Sequence, residues 1–167
     1  MSISFYEISI PVLVHQLTAL SNMLGKAAES AAARNFDGAV LVNDRLAPDM
    51  FPLSKQVQIA CDIGKRGVAR LADVAAPGFD DVETTLEQLQ ERISRTLAFI
   101  ESIAPAALEG DPGRELQIPL GAEIRTFTAL GYLTGFILPN VYFHASTAYA
   151  ILRQNGVPLG KRDFLGA

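Results

Sequence analysis

Apolar residues recur at helical spacing along four segments of the chain. Within each segment the steps alternate between three and four residues, which is the pattern of a helix that buries one face. The predicted helices cover approximately residues 4–33, 53–72, 80–103 and 128–154. Their apolar stripes consist of Tyr6, Ile10, Leu13, Leu17, Leu20 and Leu24; Leu53, Val57, Ala60, Gly64, Gly67 and Leu71; Val82, Leu86, Leu89, Ile93, Thr96, Ile100 and Ile103; and Leu130, Thr134, Ile137, Val141, His144, Ala148 and Ile151. Four such helices predict an all-α four-helix bundle.

Two prolines fall inside the predicted helices. Because proline lacks the backbone N–H that a helix interior needs, Pro11 is expected to bend the first helix and Pro139 to kink the fourth. The third helix should begin with an aspartate cap, supplied by Asp80 or Asp81. The fourth helix closes the bundle.

The connection between the first two helices is long and carries repeated turn signals. Residues 35–52 combine glycine, asparagine, aspartate and proline in the pairs that favour turns, so they predict an irregular crossover. Its length is compatible with either a structural or a functional segment. The side chains expected to pack against the bundle as it passes are Val40, Leu41, Leu46 and Met50.

A short β-hairpin is predicted ahead of the fourth helix. Residues 115–120 alternate the apolar Leu116, Ile118 and Leu120 with polar neighbours, which is the period of a strand. A turn is expected at Gly121, after which a second apolar run begins.

Composition limits the class of protein. A chain of 167 residues with 49% hydrophobic and 19% charged residues is an ordinary globular domain, so we expect one domain over residues 1–167. Cys61 is the only cysteine and the chain has two histidines, which excludes an intramolecular disulfide and a finger-type metal cluster. Cys61 lies among apolar residues and is expected to be a buried structural thiol.

Charge and the amino-terminal sequence indicate where the protein acts. Fourteen basic and eighteen acidic residues give a net charge of −4 with no basic run, so nucleic acid is not an expected partner. Polar residues interrupt the apolar stretch near the amino terminus, which does not fit a signal peptide or a membrane span. We therefore expect a cytoplasmic protein that does not enter a membrane.

His144 interrupts the apolar stripe of the fourth helix. A buried imidazole needs partners for both nitrogens, and Asn140 and Thr147 lie on adjoining parts of the same helix face. These three side chains could form the floor of a small polar pocket. The same pattern is compatible with a core histidine held by hydrogen bonds, since buried polar groups are generally satisfied whatever their role.

Two stretches carry a resemblance to a known family. The sequences LPNVYFHASTAYAILRQNGVPLGKRDFLG and RLAPDMFPLSKQVQIACD resemble uncharacterised bacterial proteins known only as a domain of unknown function. The resemblance extends over nearly the whole chain. That family is grouped with the DinB/YfiT-like superfamily, which implies a four-helix bundle of up-down-down-up topology. Many members are dimers, and many bind a divalent metal through three histidines.

The superfamily pattern can be placed on the last helix. In that pattern two metal-binding histidines stand four residues apart, followed by a stretch with leucine and arginine and then a glycine. Matching through Leu152, Arg153 and Gly156 puts His144 at the second position. The first position falls on Asn140.

The third superfamily ligand comes from the second helix, where this chain has Gln56 or Gln58 and no histidine. A neutral amide is a weak ligand for zinc or nickel, so we expect no tightly bound metal and no other cofactor. His15 lies about 200 degrees around the first helix from its apolar stripe, which places it away from the core.

Three hypotheses follow from these residues. The first is a protein that binds a small ligand in a polar pocket, at a degenerate metal site lined by Gln56, Asn140, His144 and Thr147. The second is a metal-dependent transferase or hydrolase that uses His144, with its other ligands from His15, an aspartate or solvent. The third is a homodimeric interaction module whose first helix forms the interface. The sequence does not decide whether the protein is an enzyme.

Overall fold

Four long helices carry most of the buried apolar side chains in the computed structural model, which describes residues 4–167. A two-stranded hairpin and three shorter helices complete the regular structure. In chain order the elements are α1 (Ile10–Ala33), α2 (Ala39–Asn43), α3 (Leu53–Leu71), α4 (Leu86–Glu101), a 3-10 turn (Pro105–Leu108), β1 (Glu115–Leu120), β2 (Glu123–Thr128), α5 (Ala129–Tyr132), a π-helical segment (Leu133–Ile137), α6 (Leu138–Gln154) and α7 (Lys161–Leu165).

Contacts along α1 give the directions of its two neighbours, α4 and α6. Arg34 follows the end of α1 and donates to the carbonyl of Asn155, which follows the end of α6, so these helices run parallel. Gln90, near the start of α4, donates to the carbonyl of Ser21 in the middle of α1, and its amide nitrogen also lies beside Gly25 in the second half of α1. Because α4 ends beside the first half of α1, these two helices are antiparallel.

Two contacts fix the direction of α3. Gln56, near its start, hydrogen-bonds His144 in the middle of α6, and Gly67, near its end, packs on Ile137 just before α6. The two helices are therefore antiparallel, which makes α3 parallel to α4. The bundle has the expected up-down-down-up order, and α3 lies diagonally across from α1.

The predicted second helix and hairpin are confirmed. α3 covers the expected residues to within one position, and all members of its predicted stripe are buried. β1 and β2 pair in antiparallel register from Glu115 opposite Thr128 to Leu120 opposite Glu123. The turn between them places Gly121 at φ 64°, the left-handed region that glycine adopts without steric cost.

The predicted start of the first helix is wrong. Helix α1 begins at Ile10, and residues 5–9 form turns in which the Ser9 hydroxyl donates to the carbonyl of Phe5. Pro11 therefore lies in the first turn and does not bend the helix. In that position the missing N–H has no intrahelical partner to lose, and the fixed φ of proline suits the helix.

The predicted start of the third helix is also wrong. Neither Asp80 nor Asp81 is its cap, because α4 begins at Leu86 and its cap is Thr85, which accepts a hydrogen bond in a capping box. Val82 lies outside the helix and is 72% exposed, although its spacing assigned it to the buried stripe. The residues before Thr85 are held by ion pairs that helical spacing does not reveal.

The fourth helix runs from Ala129 to Gln154 as predicted, but it contains a π-helical segment at Leu133–Ile137. This segment ends just before Pro139, which has no N–H to donate to the carbonyl four residues earlier. A π segment is a recognised way to accommodate such a break.

The π segment changes which residues face the bundle. One residue more per turn rotates the preceding helix by about 100° relative to a continuous α-helix. Tyr132 and Leu133 are consequently buried, whereas Leu130 and Thr134, which belonged to the predicted stripe, are exposed. Beyond the segment the stripe through Val141 follows the prediction.

The crossover between α1 and α3 is less buried than predicted. It contains the short helix α2, where Leu41 and Val42 are buried. Val40 is 60% exposed and Leu46 is 36% exposed, so these two packing predictions are wrong. Met50 is half-buried. A helix as short as α2 turns only part of its side chains toward the bundle, so Leu41 and Val42 face the core while Val40 faces solvent.

The apolar faces of α1 are used within the chain. It packs against α4, α6 and α7, and its buried residues lie on more than one side of the helix. The breadth of its apolar surface therefore does not require a second copy of the chain. The homodimer stays a prediction, which light scattering would test.

Among residues 4–167, no helix is both long and apolar enough to cross a membrane.

Cys61 lies fully buried on α3, as predicted, and burial raises the pKa of its thiol to about 12. Because the thiolate is the reactive form, we expect no reaction with Ellman's reagent at about pH 8 while the protein is folded. Addition of urea should release one reactive thiol per chain. Rapid modification before unfolding would contradict the expected burial.

Candidate functional site

Gln56 and His144 form a direct contact between α3 and α6. His144 Nδ1 lies 2.7 Å from Gln56 Oε1, although the two residues are far apart in the sequence. Gln56 is 2% exposed and His144 is half-buried. The structure therefore brings together the two residues that the superfamily pattern placed at the second and third ligand positions.

The neighbouring hydrogen bond fixes the orientation of this pair. Gln56 Nε2 donates to the carbonyl of Phe51 at 3.0 Å, so Gln56 Oε1 is the atom that faces His144. An amide oxygen can only accept, and His144 Nδ1 must therefore carry the proton. Nε2 is left as the unprotonated acceptor. Within the described part of the chain, Nε2 has no hydrogen-bond partner. Nε2 is not a buried atom, so it is accessible from solvent.

Asn140 and Thr147 lie on α6, respectively before and after His144, and both hydrogen-bond their own helix. Asn140 Nδ2 donates to the carbonyl of Phe136 at 2.7 Å, and the Thr147 hydroxyl donates to the carbonyl of Phe143 at 2.8 Å. Asn140 thus keeps its Oδ1 as an acceptor one helical turn from His144. Thr147 is buried, and its hydroxyl is already used.

Acid should destabilise the protein through His144. Burial lowers the pKa of His144 below its ordinary value of 6.5, so near that pH the unfolded chain binds a proton that the folded chain does not. The free energy of unfolding should therefore fall as the pH drops through about 6.5, until the folded histidine also titrates. Urea denaturation at about pH 7.5 and pH 5.5 measures this fall.

The control for this prediction replaces each histidine in turn. His144→Gln should reduce the loss of stability between the two pH values, whereas His15→Gln should leave the His144 contribution in place. An equal fall in the wild type and in His144→Gln would contradict the assignment to His144.

The other candidate ligands lie elsewhere. His15 Nε2 hydrogen-bonds the carbonyl of Leu165, at the carboxyl-terminal helix α7, and does not join His144. Gln58 lies on another side of α3 than Gln56 and donates to Glu83, which precedes α4. Asp44, in the crossover, accepts a hydrogen bond from Asn155.

The residues at His144 do not fit the three-histidine metal site of the superfamily. Gln56 Oε1 already accepts from His144 Nδ1, so the donor atoms left for a metal are His144 Nε2 and the neutral amide oxygen of Asn140. Among residues 4–167, no group of at least three histidine, cysteine, aspartate and glutamate side chains is placed to hold a metal ion. A catalytic zinc site needs about three such protein ligands.

Comparison with known families decides the classification. The family model described as a domain of unknown function, DUF1993, matches residues 5–165. The chain belongs to the DUF1993 family. Its fold is also that of a solved crystal structure of a DinB family member protein from Shewanella denitrificans, with a TM-score of 0.89 and 39% sequence identity over 97% of this chain and 92% of that one. No curated protein matches the chain. The resemblance to the DinB-like superfamily and the all-α bundle are thereby confirmed.

This DUF1993 protein also contains a buried charged cluster that the sequence did not predict. Its centre is Arg92 on α4, which is 1% exposed and lies 2.8 Å from Glu83, 2.9 Å from Asp81 and 3.1 Å from Asp62. Lys65 on α3 is fully buried beside it. Lys65 Nζ lies 3.2 Å from Asp62 Oδ1, without the geometry of a hydrogen bond.

Electrostatics within the cluster favour the charged forms of its carboxylates. Burial acts to raise the pKa of Glu83, but hydrogen bonds from Arg92 and Gln58 outweigh it and hold that pKa below the usual value. A hydrogen bond from Lys55, together with the charge of Arg92, lowers the pKa of Asp81. The cluster therefore joins α3, α4 and the segment before α4 by ion pairs.

One signal in the sequence could have revealed this cluster. Arg92 lies three residues after Leu89 and four before Thr96, so it belongs to the buried side of α4. Lys65 follows Gly64 on α3, and Gly64 is one of the residues of the predicted apolar stripe. A charged residue at an inward position requires a partner of opposite charge.

Proposed function

We propose that this DUF1993 protein binds a small polar molecule at His144 and Asn140 without a metal. The observation that carries the proposal is the 2.7 Å contact between His144 Nδ1 and Gln56 Oε1, because it leaves Nε2 as an unused acceptor. Asn140 Oδ1 offers a second acceptor one helical turn away. Two neighbouring acceptors favour a ligand with hydrogen-bond donors, such as a hydroxyl, an amide or an ammonium group.

The other two residues of the proposed site have positioning roles. Gln56 holds the imidazole in one tautomer, because its own amide is oriented by the carbonyl of Phe51. Thr147 lies on the same helix and is satisfied by the carbonyl of Phe143. The rings of Phe143 and His144 are nearly perpendicular, with centroids 5.2 Å apart. Phe143 is 59% exposed, so its ring is available to cover an apolar part of the ligand.

The metal-free form of the proposal is tested by metal analysis of protein purified without a histidine tag. We expect substoichiometric zinc and nickel, because His144 lacks partners that are strong ligands. Stoichiometric metal that disappears in His144→Ala would overturn this form and favour the metal-dependent transferase or hydrolase.

Ligand binding is tested by nitrogen-15 NMR of the His144 ring. Nδ1 should be protonated and Nε2 unprotonated, and ethanolamine, which carries ammonium and hydroxyl donors, should shift the Nε2 signal saturably. Gln56→Leu should weaken this binding roughly two- to tenfold, as the loss of one net hydrogen bond predicts. Gln154→Leu, at an exposed position of α6, is the matched control. Protonation at Nε2, or no response to ethanolamine, would count against the site.

A further inference from the structure

A cavity lies between the outer face of α3, the β-hairpin and the start of the fourth helix. Its volume is about 260 Å³, just below the range of roughly 300–1,000 Å³ that is typical of sites for drug-sized ligands. The apolar part of its wall includes Ile59 and Ile63 of α3, Leu120 of β1 and Phe136 of the π segment. None of the four residues proposed for the His144 site lines it. The cavity is therefore a separate place for a small molecule.

Cationic side chains stand along the α3 side of this cavity. Arg66 and Arg70 are one helical turn apart, and both are exposed. Arg66 pairs with Asp62 at 2.9 Å, whereas Arg70 has no carboxylate within 4.0 Å among residues 4–167. Arg70 instead donates to the Tyr132 hydroxyl at 3.2 Å. Since a guanidinium has five N–H donors, Arg70 keeps several for a ligand.

The acidic side chains of the cavity are already neutralised from beneath. Asp62 and Asp81 line the wall, and both contact the buried Arg92. The cavity wall itself carries three cationic side chains and two carboxylates, an excess of one positive charge in a chain whose net charge is −4. The cationic members are Lys55, Arg66 and Arg70, and the acidic members are Asp62 and Asp81. The local charge therefore favours an anion.

The π segment contributes to this wall. Tyr132 immediately precedes the segment and Phe136 lies within it, and their rings are stacked with centroids 5.5 Å apart. Both side chains line the cavity. The rotation that buries Tyr132 also places its hydroxyl beside Arg70. Single π turns within α-helices are frequently found at functional sites.

We propose that this cavity binds a small organic carboxylate with an aromatic body. The carboxylate accepts hydrogen bonds from Arg70 and Arg66, and the ring lies against Phe136 and the isoleucines of α3. Tyr132 positions the Arg70 guanidinium. An anion is the opposite of the donor-bearing ligand proposed for His144, so the two sites differ in chemistry as well as in place.

The experiment is a calorimetric or NMR titration of the full chain with benzoate. We expect saturable binding with a dissociation constant on the order of 1 mM, as suits a ligand of so few atoms. Arg70→Gln should weaken binding roughly tenfold or more, and Arg66→Gln should weaken it less, because a charge-assisted hydrogen bond to carboxylate is lost in each. Both arginines are exposed, so these variants are expected to fold.

Three controls make the result decisive. Benzamide has the shape of benzoate without its charge and should bind at least tenfold more weakly. Arg125→Gln removes an exposed arginine of the hairpin and should leave benzoate binding unchanged. His144→Gln should also leave it unchanged, which separates this site from the proposed function.

Several results would overturn the inference. No saturable benzoate binding, equal binding of benzamide, or an equal loss in Arg125→Gln would each do so. Loss of benzoate binding in His144→Gln would move the ligand to the other site. Tight binding of inorganic phosphate without binding of benzoate would contradict the carboxylate assignment.

Discussion

Replacement of Arg92 by methionine should lower the free energy of unfolding by about 3–5 kcal/mol, the usual cost of breaking a buried ion pair by removing one partner. Arg92 is 1% exposed, and its guanidinium contacts the carboxylates of Glu83, Asp81 and Asp62. Methionine fills a similar volume but leaves Glu83, whose side chain is 9% exposed, without its cation. Urea denaturation at neutral pH measures the loss.

Arg66→Met is the matched control, because Arg66 pairs with the same Asp62 at 2.9 Å but is 60% exposed. An exposed ion pair contributes about 0–1 kcal/mol, so this variant should be close to the wild type. Adding Glu83→Gln to Arg92→Met should recover part of the loss, since the stranded charge is removed. Equal losses in Arg92→Met and Arg66→Met would show that burial of the pair does not matter.

Gly67→Ala is expected to lower the free energy of unfolding by about 1–3 kcal/mol, the range for overpacking a core. A Cβ atom at Gly67 would stand 2.6 Å from Ile137 Cδ1 and 2.7 Å from Cγ1. Ile137 is fully buried and belongs to the π segment, so its side chain has no open space to move into. The variant should therefore push the fourth helix away from α3.

Gly64→Ala provides the control on the same helix. A Cβ atom there would meet Leu17 and Ile100 at 3.7 Å, which is ordinary contact, and alanine favours a helix over glycine by about 1 kcal/mol. This variant should be neutral or stabilised. Gly67→Ala should cost less in an Ile137→Ala background than in the wild type, because alanine lacks both Cδ1 and Cγ1. A Gly67→Ala protein as stable as Gly64→Ala would contradict the close contact.

Helical periodicity predicted the helices whose apolar side chains pack directly against a neighbouring helix. In α3, every small or apolar residue of the predicted stripe is buried in this way. The start of α4 could not be read this way. Val82 has the correct spacing, but the pairing of Asp81 and Glu83 with Arg92 keeps the chain out of a helix there. Such pairs depend on tertiary structure, which a periodic pattern does not contain.

The candidate site was only partly accessible from the sequence. The superfamily resemblance assigned Gln56 and His144 to one site, and the structure places them in contact. Arg70 and Tyr132, which line the cavity beside the hairpin, gave no such signal. Their contact requires the rotation produced by the π segment, and Tyr132 lay outside the stripe that a continuous α-helix predicts.

Deletion of a single codon between Leu133 and Ile137 would remove the extra residue of the π segment without altering any side chain of α6. It would also turn the hairpin and Tyr132 by about 100° around the helix axis. Homologues that are one residue shorter here are therefore expected to lack the tyrosine partner of Arg70 and, with it, the aromatic wall of the cavity beside the hairpin.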